Sequence, residues 1–69
     1  MNYTLDCERE ADGRWLAEVL ELPGVMAYGA TQDEAMARAE ALALRVLAER
    51  LEQGEARAVA IHISLPAAA

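Results

Sequence analysis

The chain has 69 residues, enough for one domain whose core must be assembled without phenylalanine, from one tryptophan, two tyrosines and many small aliphatic residues. Its net charge of −6 excludes binding of nucleic acid or of an anionic membrane surface through clustered basic residues, and points instead to a basic partner. A single cysteine, Cys7, excludes an intrachain disulfide and suits a reducing cytosol, and no secretory signal or membrane-spanning apolar run is read in the chain.

The first predicted element is a strand from Asn2 to Glu8. Tyr3, Leu5 and Cys7 alternate there with Asn2, Thr4, Asp6 and Glu8, the pattern of a half-buried strand. Ala11-Asp12-Gly13 signals a hairpin, Asp-Gly being a preferred turn pair. Arg14 to Leu20 is the returning strand, with Trp15, Ala17 and Val19 on one face and Arg14, Leu16 and Glu18 on the other. Leu22-Pro23-Gly24-Val25 places proline and glycine at the central positions of a type II turn. A short third strand follows over Val25 to Ala30.

Thr31 to Gly54 reads as one long helix with both ends marked. Thr31 is a good N-cap, Glu34 completes a Thr-x-x-Glu capping box, and Gly54 suits a left-handed C-terminal closure. At 3.6 residues per turn, Ala35, Ala39, Leu42, Ala43 and Val46 share one side, with Met36 and Leu47 at its edge. A second apolar stripe consists of Ala37, Ala41, Leu44, Ala48 and Leu51. The sector of Glu34, Arg38, Arg45, Glu49 and Glu52 is fully polar. A helix apolar around this much of its circumference cannot bury itself in so short a chain, so the second stripe is expected to form a homo-oligomer interface, in a dimer or tetramer. Burial of Leu44 and Leu51 would contribute about 1.5–3 kcal/mol each.

The last predicted strand, Ala58 to Leu65, alternates Val59, Ile61, Ile63 and Leu65 with Ala58, Ala60, His62 and Ser64. Residues 67–69 are expected to fray beyond a single domain over residues 1–66. The order β-β-β-α-β implies an α+β fold, one sheet in the order 3-2-1-4 with the helix packed on one face. A right-handed crossover sets the last strand parallel to the first and beside it. The helix is expected on the face of Tyr3, Leu5, Ile61 and Ile63, its last turns, with Leu51, overhanging the sheet. The other face, with Thr4, Asp6, Glu8, Arg14, Leu16, Glu18, Ala60 and His62, is either solvated or an acidic docking platform.

Catalytic readings are weak. His62 has no nucleophile or orienting acid near it in sequence, and Cys7 sits between Asp6 and Glu8, which raise the pKa of a thiol. A metal-carboxylate site from Asp6 with Glu34 or Glu40 would need further converging carboxylates, which the last strand does not supply. No glycine-rich phosphate loop is present, and no cofactor or metal is expected.

Tyr3-x-Leu5, Asp12-Gly13-Arg14-Trp15-Leu16-Ala17-Glu18-Val19, Leu22-Pro23-Gly24-Val25 and Tyr28-Gly29-Ala30-Thr31-x-x-Glu34-Ala35 together resemble the HicB family of antitoxins. The resemblance covers nearly the whole chain and implies a truncated ribonuclease-H-like sheet that binds and blocks a small basic RNA-cleaving toxin without catalysis of its own. Family members usually add a C-terminal DNA-binding domain, and residues 1–69 contain no such segment. Residues expected to contact the partner are Asp6, Glu8, Trp15, Glu18, Pro23 and Tyr28. The alternative is a homo-oligomeric domain with no toxin, and Trp15, the only tryptophan of a small domain, is a residue type more often core than contact.

Overall fold

The computed structural model describes residues 2–54 and 62–64. Four strands and one helix follow in the order β1 (Asn2–Arg9), β2 (Trp15–Val19), β3 (Met26–Gly29), α1 (Gln32–Glu52) and β4 (His62–Ser64). They form one α+β layer, a sheet in the order β3-β2-β1-β4 with α1 on one face. β1 and β2 pair antiparallel, as do β2 and β3, whereas β4 lies parallel to β1 with Tyr3 opposite Ile63. The rest of the strand expected over Ala58 to Leu65, including Ile61, lies outside the described residues, as does the expected tail.

Turn chemistry fixes the two hairpins. At the first, Glu10 N–H donates to Arg14 O at 2.7 Å and Gly13 N–H to Glu10 O at 3.0 Å. Gly13 has φ +91°, and no non-glycine residue among those described has a positive φ. The loop is therefore a three-residue connection with glycine in the left-handed position, rather than a two-residue Asp-Gly turn. Asp12 braces it by accepting from Arg14 N–H at 3.0 Å and Arg14 Nε at 2.7 Å. At the second, Val25 N–H donates to Leu22 O at 3.0 Å and Gly24 has φ +88°, as a type II turn with proline at its second position requires.

Both ends of α1 are closed. Thr31 Oγ1 accepts from Glu34 N–H at 3.1 Å, one half of a capping box. The reciprocal arm reaches one residue further back than the motif predicts: the Glu34 carboxylate accepts from Ala30 N–H at 3.4 Å and pairs with Arg38 at 3.0 Å. Gln53 caps the C-terminus, and Gly54 follows at φ +73° with its N–H on Leu51 O at 3.2 Å.

The core lies between α1 and the sheet. Tyr3, Leu5, Ala17, Val19, Leu22 and Val25 meet Ala35, Ala39, Ala43 and Leu47, with Cys7, Trp15, Ala27, Met36, Leu42, Val46 and Ile63 packed half-buried around them. The buried line on the helix is thus the i, i+4 row of Ala35, Ala39, Ala43 and Leu47. Leu47 stands at its centre rather than at its edge, while Leu42 and Val46 flank it. The physical reason is small side chains: a row of alanines lets the helix backbone approach the sheet closely, and bulkier residues fill the wedges on either side. Ala17 is fully buried opposite these alanines.

Gly29 marks the closest approach. A Cβ there would lie 2.5 Å from the Ala35 nitrogen and 3.0 Å from its Cα. Its φ is outside the left-handed range, so bulk and not backbone freedom excludes a side chain. Gly29, Thr31, Glu34 and Ala35 thereby act as one device that seats the first turn of α1 on β3.

Candidate functional site

Two surfaces of the described chain expose large apolar side chains. On α1, Leu44 is 49% and Leu51 37% exposed; Leu44 lies to one side of the buried row, and Leu51 continues that row one turn beyond Leu47. Ala37, Ala41 and Ala48 of the same stripe are exposed too. Leu47 is the last buried residue of the helix, and everything from Ala48 to Gly54 is exposed. The helix therefore runs past its packing surface by more than a turn, as expected for Leu51.

The second surface is the open sheet face. In an antiparallel pair, directly opposed residues share a face, and the registers Glu8–Leu16–Tyr28 and Asp6–Glu18–Met26 lay out two rows across β1, β2 and β3. Acidic groups occupy the β1 end of these rows. Met26 and Tyr28 occupy the β3 end, 42% and 41% exposed, with Leu20 55% exposed just beyond β2. The Arg14 guanidinium lies over the Tyr28 ring at 4.2 Å from its centroid while also pairing with Asp12. The face is acidic along β1 and apolar along β3, a gradient rather than a uniform acidic platform. The sequence signal for its apolar end lay in the alternation of Met26 and Tyr28 against Val25, Ala27 and Gly29.

The residues expected to contact a partner divide between several places. Asp6, Glu8, Glu18 and Tyr28 share the open face. Trp15 stands opposite Arg9 and Gly29 on the helix-covered face, half-buried against the core at the hairpin end. Pro23 is exposed in the β2–β3 turn, at the other end of the sheet. His62 is exposed on β4 beside Asn2.

Asp6 and the helix glutamates cannot share a metal ion. Asp6 points from the open face, and Glu34 and Glu40 belong to the helix on the opposite face. No group of three or more potential ligands clusters among the described residues. Burial, with the Asp6 charge second, pushes the Cys7 thiol up from its ordinary value. Glu8, on the other face, is not among the causes. The Glu21 carboxylate takes the Thr4 N–H at 2.6 Å, and this bond holds its pKa below the usual range. Asp12 is lowered by its bonds from the Arg14 backbone and side chain. No helix among the described residues is long and apolar enough to cross a membrane.

A scan against protein-family models, a search of curated proteins and a search of solved structures each found no match to this chain.

Proposed function

We propose that the chain is a non-catalytic protein-binding module resembling a HicB-type antitoxin, acting in the cytoplasm to sequester a small basic RNA-cleaving toxin. The observation that carries this reading is the open sheet face, where Asp6, Glu8 and Glu18 adjoin exposed Leu20, Met26 and Tyr28. Carboxylates draw in a basic partner, and an apolar edge beside them supplies the area that holds it. The net charge of −6 acts in the same direction at longer range. The Gly29-Ala30-Thr31-x-x-Glu34-Ala35 and Leu22-Pro23-Gly24-Val25 motifs support the family likeness, and each has a structural role in this fold.

Co-expression tests the reading. A small basic protein encoded beside this gene should arrest growth alone, be neutralised by this chain, and co-purify with it in a complex that dissociates in high salt. Persistent growth arrest, or two proteins that elute separately at low salt, would overturn the proposal.

A second reading is favoured by the helix: Leu44 and Leu51 lie exposed on a continuous stripe with Ala37, Ala41 and Ala48. On that reading the chain is a homo-oligomer that uses this stripe, with or without a toxin.

A further inference from the structure

The exposed stripe of α1 has a period that the sheet does not use. Ala37, Ala41, Leu44, Ala48 and Leu51 are spaced alternately four and three residues apart, and all are exposed. That is the seven-residue repeat by which one helix packs along another, whereas α1 meets the sheet through an i, i+4 row. Both exposed leucines fall at one position of the repeat. The residues that flank the seam carry charge, with Glu40 on one side and Arg38, Arg45 and Glu52 on the other. Among the described residues the side chains of Glu40 and Arg45 make no ion pair or hydrogen bond. Arg38 is already held, by Glu34 at 3.0 Å and by the Tyr28 carbonyl at 3.0 Å.

We propose that this seam packs in parallel register against the same seam of a second copy, about a two-fold axis that runs along the helices. The proposal rests on the homo-oligomer reading above and adds to it the partner's orientation. Flanking charge decides the direction. In a parallel pair, a residue just before the seam meets the residue five positions further on in the other helix. Glu40 therefore faces the partner's Arg45, and symmetry makes the contact twice. In an antiparallel pair centred on Leu44, Arg45 would meet its own symmetry mate. The opposite-charge contact left there, with Glu52, would need the Arg38 that Glu34 and Tyr28 already hold. Parallel register also stacks Leu44 on Leu44 and Leu51 on Leu51, while Ala41 and Ala48 let the backbones close in. Leu51 lies one turn beyond the last residue that the sheet buries, so a second helix is what covers it. The two sheets stand on the outer sides of the helix pair, and the open sheet face stays free for a basic partner.

Sedimentation and mild oxidation of the full chain test the orientation. The parent should pass from monomer to dimer as concentration rises. Leu51→Cys in a Cys7→Ala background should form an intermolecular disulfide, because parallel register sets the two cysteines face to face. An antiparallel pair would hold them about 21 Å apart, too far to bridge. Glu40→Arg alone and Arg45→Glu alone should each raise the dimer dissociation constant by about tenfold, with the circular dichroism spectrum of the parent. The two reversals together should restore it. If Leu44→Glu with Leu51→Glu disrupts the dimer, but Leu51→Cys does not cross-link and the double reversal restores nothing, the parallel arrangement is overturned and the stripe remains the interface. A parent that stays monomeric up to about 1 mM, or a dimer that survives Leu44→Glu with Leu51→Glu, would overturn the homo-oligomer reading and this proposal with it.

Discussion

A methyl group added at Gly29 would meet the Ala35 nitrogen at 2.5 Å, and neither β3 nor the first turn of α1 can yield without opening the core beneath them. Gly29→Ala should therefore cost about 1–3 kcal/mol, the usual range for overpacking. Urea denaturation should show a lower midpoint at unchanged slope. Two exposed carboxylates give the pH dependence its sign. The pKa of Glu21 is lowered mainly by the Thr4 N–H, and that of Asp12 by Arg14. A carboxylate depressed in the folded state stabilises it above the ordinary carboxylate range, and that stabilisation is lost as pH falls through the range and below. Glu21→Gln combined with Asp12→Asn should therefore flatten the acid limb of the stability-versus-pH curve relative to the parent. An acid limb as steep as the parent's would remove these residues from the account.

At the scale of the element, α1 has well-made ends and a divided surface. Thr31→Ala removes the acceptor for Glu34 N–H and should cost about 1 kcal/mol, read from thermal or urea unfolding. The outer stripe is tested by Leu44→Glu with Leu51→Glu. Both side chains are exposed in the single chain, so the substitutions leave the internal core intact. If the stripe holds copies together, light scattering should show the assembly fall to monomer or to a lower state; unchanged mass would exclude the stripe as an interface. Helical periodicity made both stripes legible from the sequence. It placed Ala35, Ala39 and Ala43 on the buried face but put Leu42 and Val46 with them and Leu47 at the edge, because the row that meets a sheet depends on how the helix crosses the strands.

Over the whole molecule, charge and apolar area are arranged side by side on the open face. Reversal of Glu8 and Glu18 to lysine should weaken binding of a basic partner mainly through a slower association rate, with a shallower salt dependence. Stopped-flow association across a salt series would measure both; a basic partner that binds equally fast to the reversed chain would not be using this face. Asp6, Glu8, Glu18 and Tyr28 converge as β-alternation requires. Trp15 and Pro23 do not join them, since one faces the helix and the other lies at the far end of the sheet. Trp15 and Pro23 belong to the hairpin and Leu-Pro-Gly motifs, and motif residues can owe their identity to turns and packing as readily as to recognition.

The elements, their order and the sheet order 3-2-1-4 followed from the sequence alone, because alternation, turn pairs and caps are local chemistry and a short crossover leaves few topologies open. Only the tertiary structure decided that Gly29 lies against Ala35, that the alanine row with Leu47 is the buried line of α1, and that Met26 and Tyr28 bring an apolar edge to an acidic face. Each of these depends on distances between residues far apart in the chain or on the angle at which a helix crosses a sheet, and neither is written in any local pattern of residues.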